Sequence, residues 1–158
     1  MADWLDYEEA FEGGASRVAG TVKVLRDVRS VELGNTRDIL VYLPPSYPTA
    51  NQTYPTLYMH DGQNLFDEAT SFAGEWRVDE ALETLAEDGI EAIVVGVPNT
   101  GVDRLHEYSP FRDARFGGGR AADYVQFIVE TVKPLVDAAF RTTGSAKAPR
   151  RSARRWAG

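Results

Sequence analysis

Two short apolar runs set the frame for this chain. Residues 93–97 read IVVGV, apolar throughout, and Leu57-Tyr58-Met59 is a shorter unbroken run. Runs of this length without alternation fit strands covered on both faces, as in parallel sheets flanked by helices. Between them, "EWRVDEALETLAEDG" places Val78, Ala81, Leu82 and Leu85 at i, i+3, i+4 and i+7, with Gly89 as a stop. That spacing is one face of a helix. Strand, helix and strand in this order predict an α/β fold with a parallel sheet at its centre.

The flanking segments extend the pattern. "TVKVLRDV" alternates imperfectly, and "RDILVYL" is a β-branched and aromatic run closed by Pro44-Pro45. Leu33-Gly34-Asn35 between them supplies a turn, so an antiparallel hairpin leads into the sheet. Further on, "RAADYVQFIVETVKPLVDAAF" carries Val125, Ile128, Val129, Val132 and Val136 on a helical stripe. Pro134 is expected to kink that helix or restart it. Residues 1–16 are acidic, polar and Gly-containing, and read as a flexible lead-in without the basic and apolar regions of a signal peptide.

A length of 158 residues suits one domain. The absence of cysteine removes disulfides, thiolate nucleophiles and Cys-based metal sites. No apolar run approaches the roughly 20 residues of a membrane span, and a cytoplasmic location is expected. The chain carries a net charge of −7, and residues 141–158 hold six basic side chains and no acidic one, so the rest carries −13. An acidic body repels phosphate, and only the tail has the sign for nucleic acid.

In open α/β sheets, sites form beyond the carboxyl ends of the strands. Two loops qualify here, residues 60–75 and 98–116, and they hold both histidines, His60 and His106. The first packs His60, Asp61, Gly62, Gln63 and Asn64 directly after a strand. Gly62 permits either a positive φ or a close backbone approach, and successive N–H groups in such a turn can face a developing oxyanion. A plain hydrogen-bonded turn is the competing reading. His60, Asp61 and Asp67 lack diagnostic metal spacing, so no metal or cofactor is expected. In the second loop, Arg104 and Arg112 could hold an anion. Glu107 is either a general base or the partner of Arg104. His106 reads as a partly buried loop histidine. "FGGGR" lacks the Lys-Ser/Thr of a phosphate loop and reads as a flexible approach to the last helix.

Taken in order, "RDILVYLPPSY", "YPTLYMHDGQNLFDE", "EAIVVGVPNTGVDRLHEYSP" and "YVQFIVETVKPLVDAAFRT" resemble the N-terminal half of the Putative esterase family, the esterase D and enterochelin-esterase-like α/β-hydrolases. The resemblance covers residues 17–142. It implies hydrolysis of a small-molecule carboxylic ester by a Ser-His-Asp/Glu triad. It puts an oxyanion-hole N–H at Gln63, with Gly62 and Asn64 as neighbours, and carries His60, Asp61, Asn64, Arg104 and Glu107 over as pocket-lining residues. It also places the strand ending at Met59 between the strand at 91–97 and the nucleophile strand, whose absence would expose an edge prone to aggregation or oligomer formation.

One departure matters most. The family's nucleophile sits on a G-x-S-x-G elbow after the helix ending near Phe140, and none of the seven serines here has that context. Ser145 is nearest by position and lacks the second glycine. The basic tail, residues 143–158, offers an explanation. Shifting the reading frame of "SARRWAG" by one base forces a Gly codon across Trp156–Ala157 and permits Gly-Ser-Ser-Met-Gly-Gly, an elbow. The tail therefore reads as out-of-frame translation of an esterase, and the chain as an inactive, partial α/β-hydrolase. A non-enzymatic interaction protein, using the acidic body or the basic tail, is the alternative.

Overall fold

The computed structural model describes residues 2–11 and 18–144. A five-stranded mixed sheet is built from β1 (Leu5–Asp6), β2 (Thr21–Ser30), β3 (Asn35–Leu43), β4 (Thr56–His60) and β5 (Ile93–Val97), in the order β1-β2-β3-β5-β4. β2 and β3 form the expected hairpin, Thr21 opposite Leu43, with one register shift between Leu25 and Val28. β3 runs antiparallel to β5, and β5 parallel to β4 with His60 opposite Val97. The parallel pair thus delivers the loops after β4 and β5 to the same end of the sheet.

Alternation along the strands divides the core. Ile39, Val41 and Leu43 of β3 join Ile93, Val95 and Val97 of β5 under Tyr124, Phe127, Val132 and Val136. These come from α4 (Ala121–Phe127), a π-helical turn (Ile128–Val132) and α5 (Lys133–Ala139). Leu40, Tyr42 and Val94 point to the other face, against Tyr7, Leu65, Phe66 and Leu82. Leu82 lies on α2 (Val78–Glu87). All five β5 residues are buried, as the apolar run predicts. Pro134 enters the first turn of α5. It cannot donate to the Glu130 carbonyl, and the turn containing Glu130 is widened to π.

Several expectations need correction. Met59 and its neighbours are not covered on both faces: β4 is the last strand of the sheet, its residues are half-buried or exposed, and Leu57 is 53% exposed. The buried face of α2 runs through Asp79 and Leu82, not Ala81 and Leu85, which face out. On the last helix the buried stripe is Tyr124, Phe127, Val132 and Val136, while Val125 and Val129 are exposed. The buried positions follow one helical phase from Tyr124 and Phe127 to Val132 and Val136, and Val125 and Val129 lie off it.

Within the lead-in, residues 5–10 form regular elements that pack on the sheet. Asp6 pairs with Lys23, and its N–H donates to the Glu9 carboxylate at 3.1 Å, opening a short α1 (Tyr7–Ala10) whose Tyr7 and Ala10 are buried. Glycines 117 and 118 form β7 (Gly117–Gly118), which pairs with β6 (Arg112–Asp113), so the FGGG stretch is a small hairpin.

After α5 the chain returns to the sheet. Tyr54 N–H donates to Arg141 O at 2.9 Å and Thr143 N–H donates to Tyr54 O at 2.9 Å, a parallel bridge pairing Tyr54 with Thr142. Arg141 stacks on the Tyr47 ring and donates to the Gln52 and Ala50 carbonyls, and Thr142 is buried. Residues 141–143 thus meet the chain at Tyr54, just before β4, through a single parallel bridge. Ser145 and the rest of the basic tail lie outside the described residues.

Candidate functional site

The loop after β4 turns sharply at its first residue. Asp61 has φ 54° and ψ 43°, in the left-handed region, which Asp tolerates better than most residues. The positive φ that the sequence allows at Gly62 therefore falls on Asp61. Gly62 serves close approach instead: a Cβ there would lie 2.6 Å from Gly96 C and Val97 N and 2.8 Å from Pro98 N. The turn Gly62–Asn64 is a single 3₁₀ turn laid against the end of β5. Its first internal bond runs from Asn64 N–H to Asp61 O at 2.9 Å. The N–H groups of Gly62 and Gln63 precede it and have no acceptor within the turn.

A carboxylate anchors this turn to the second loop. Asp61 accepts from Arg104 Nε at 2.9 Å on Oδ1 and from Arg104 Nη2 at 2.8 Å on Oδ2. Asn99 Nδ2 donates to Oδ1 at 2.7 Å, and the Tyr108 hydroxyl lies 3.3 Å away. The Arg104 hydrogen bonds hold this carboxyl below its usual range against the opposing effect of burial, with Asn99 assisting. The Arg104 guanidinium also lies over the Tyr108 ring at 4.9 Å. Gln63 joins the same clamp, its Oε1 accepting the Asn99 N–H at 3.1 Å.

His60 sits beside the clamp. Its Nδ1 is 3.0 Å from the Tyr124 hydroxyl, and its ring packs 5.3 Å from both Tyr108 and Tyr124. Burial pushes both phenols up, so both remain neutral donors at neutral pH. Asn64 organises the loop itself: its Oδ1 accepts Phe72 N–H at 3.0 Å and its carbonyl accepts Trp76 N–H at 2.7 Å. A cleft of about 500 Å³ opens beside Gln63, lined also by Arg37, Asp38, Thr70, Asn99 and Thr100.

Glu107 departs from expectation. It does not meet Arg104. It lies on α3 (Arg104–Tyr108) with its side chain 2% exposed, bonded to Arg37 by Nη2 at 2.8 Å and Nη1 at 2.9 Å and to Asn35 Nδ2 at 2.8 Å. Burial pushes its carboxyl up, but the Arg37 and Asn35 hydrogen bonds outweigh that and hold it below its usual range. A carboxylate so enclosed braces the site from behind. His106 and Arg112 also stand apart from the clamp. His106 is exposed, its Nδ1 accepting Gly118 N–H at 3.2 Å, and Arg112 is exposed on β6.

Sequence reasoning missed Arg37, Asn99, Tyr108 and Tyr124. For Arg37 a signal was present. It is in phase with Ile39, Val41 and Leu43, on the strand face that packs under α4, where its guanidinium stacks 5.2 Å from Phe127 and 5.7 Å from Tyr124. An arginine on the apolar phase of a strand requires a buried anionic partner, and Glu107 is that partner.

The family described as Putative esterase matches residues 30–153, running past Thr142 into the tail. The uncharacterized protein YbbA of Bacillus subtilis (strain 168) is 30% identical over 116 residues, covering 70% of this chain and 42% of YbbA. Among solved structures, an IroE-like serine hydrolase from Shewanella oneidensis matches with TM-score 0.64 and 24% identity, over 78% of this chain and 40% of that one. The siderophore hydrolase EstB from Aspergillus nidulans matches with TM-score 0.55 and 26% identity, over 74% and 44%. The chain thus spans well under half the length of these three proteins. The fold is part of an α/β-hydrolase, as the family resemblance implies. Among the described residues, no helix is long and apolar enough to cross a membrane.

Proposed function

Because the chain belongs to the Putative esterase family, we propose that it builds the oxyanion-binding side of a carboxylic-ester hydrolase site and does not turn over esters by itself. The observation that carries this reading is the turn Gly62–Asn64. Its leading N–H groups lack internal acceptors, and its position is fixed by the Gly62–Gly96 contact and the Asn99–Gln63 bond. Attack on an ester carbonyl places negative charge on its oxygen. Preorganised N–H donors about 2.7–3.1 Å from that oxygen stabilise it most where the loop cannot relax. The Asp61–Arg104 clamp and the Arg37–Glu107 pair behind it supply that rigidity. Pocket-lining roles for His60 and Arg104 follow from their place beside the turn.

Attack also needs a nucleophile, and no G-x-S-x-G occurs in the sequence. The likeness to a siderophore hydrolase makes a siderophore ester a fitting substrate for a complete hydrolase of this kind, alongside simple aryl esters. The purified chain is therefore expected to release no p-nitrophenol from p-nitrophenyl acetate or butyrate above a buffer blank, and to leave a siderophore ester intact. Turnover that a serine-directed phosphonate abolishes would overturn the proposal.

A further inference from the structure

Glu75, just before α2, and Asp79 and Glu80, in its first turn, each turn one carboxylate oxygen to a common point, all within 4.8 Å of one another. Asp79 is 0% exposed. Its Oδ2 accepts the Ala19 N–H at 2.6 Å, but its Oδ1 has no hydrogen-bond partner among the described residues. Glu75 Oε1 and Glu80 Oε2 are likewise buried atoms without a partner. The other oxygen of Glu80 accepts from Arg77 Nε at 3.2 Å, and that arginine's side chain is 70% exposed.

Acidic residues in a first helical turn commonly complement the helix dipole. That role does not call for three buried oxygens to converge unpaired. Buried carboxylates are costly unless a cation or donors meet them. We propose that Glu75, Asp79 and Glu80 hold a divalent cation, with Ca²⁺ the best fit. Ca²⁺–oxygen bonds of about 2.3–2.6 Å place ligand oxygens no more than about 5 Å apart, matching this cluster, and Ca²⁺ tolerates irregular all-oxygen geometry better than Mg²⁺.

The location gives the ion a purpose. Trp76 N–H donates to Asn64 O at 2.7 Å and Val78 N–H to Leu65 O at 3.0 Å. The segment that carries the ligands is thus stitched to the turn Gly62–Asn64. A bound ion would hold the start of α2 in one arrangement, and with it the segment that is bonded to that turn. It is a structural ion, and its binding does not depend on ester hydrolysis.

Terbium luminescence and thermal melting of the full chain test this. Trp76, next to Glu75, is placed to sensitise bound Tb³⁺. The expected result is Trp-excited emission that saturates near one ion per chain and is displaced by CaCl₂, with a melting temperature that rises with Ca²⁺ and falls with EDTA. Glu75→Gln and Glu80→Gln are each expected to weaken Ca²⁺ binding at least about tenfold. Glu75 is only partly buried, so Glu75→Gln keeps the test sound if Asp79→Asn fails to fold. Emission that never saturates, or a Ca²⁺ effect unchanged in both Gln variants, overturns the proposal. So does stabilisation by mild acid with no response to Ca²⁺, which would mark a proton shared between Asp79 and Glu80.

Discussion

Arg104 grips Asp61 through two nearly parallel bonds, Nε to Oδ1 at 2.9 Å and Nη2 to Oδ2 at 2.8 Å. This pair joins the loop after β4 to the loop after β5. It also holds Asp61 in a left-handed conformation that costs a non-glycine residue energy. Arg104 is half-exposed while Asp61 is buried, so the pair lies between a surface and a buried ion pair. Arg104→Ala is expected to destabilise the chain by about 1–2 kcal/mol at pH 7. The Asp61 carboxyl is lowered in the folded state. A lowered carboxyl stabilises above its unfolded value, about 3.9, and loses that contribution as pH falls through the folded value. Urea unfolding of both proteins should therefore show a gap that is constant from neutral pH to about 5 and closes below about 4. A gap that widens in acid would contradict the assignment.

Glu107 and Arg37 are each 2% exposed in their side chains. Removing one strands the other. Arg37→Met and Glu107→Leu are each expected to cost about 3–5 kcal/mol, and the two together less than either alone. A double-mutant cycle in urea measures this. Simple additivity would show that the pair does not brace the site.

Gly62 meets backbone, not a movable side chain. Gly62→Ala is expected to cost about 1–3 kcal/mol through overpacking against Gly96–Pro98. The same substitution at Gly34, where nothing lies within 4 Å of the added Cβ, probes the alternative cause, since Gly34 has φ +76°. Near-UV circular dichroism, which reports aromatic packing around the loops, should change for Gly62→Ala only.

Among the described residues, none pairs with the outer side of β4 beyond Tyr54. Pro55 O accepts Ile93 N–H on the β5 side, while Tyr54 pairs with residues 141–143 on the other. Alternation then turns the backbone groups of Thr56, Tyr58 and His60 outward. Concentration-dependent self-association at micromolar chain is expected, and Leu57→Lys should reduce it, since charge on an edge strand discourages pairing. Sedimentation velocity across a dilution series decides. A monomer with a sharp cooperative melt throughout would refute it.

The coding DNA bears on the tail. Read one base out of step near codons 142–146, it is expected to continue into an esterase-like strand, an elbow serine and a later histidine. A stop codon or unrelated sequence in that frame ends the idea.

The order of elements was legible because periodicity is local. IVVGV alternates nothing and is buried throughout, and the hairpin, α2 and the last helix lie where their patterns put them. The loop after β4 was legible as a site by its composition and position. Partnership was not. Nothing near Glu107 in the chain favours Arg37 over Arg104, seventy residues and three residues away respectively. The choice is made by the β3–β5 pairing, which carries Arg37 under α4, and by the turn at Asp61, which draws Arg104 to itself. Whether β4 is covered or open, and which carboxylates crowd at Asp79, are likewise settled by what packs alongside. The sequence by itself determined which segments become strands and helices, since backbone propensity and apolar period act within a few residues. Only the tertiary structure decided which charges meet, because an ion pair forms where folding removes both partners from water together.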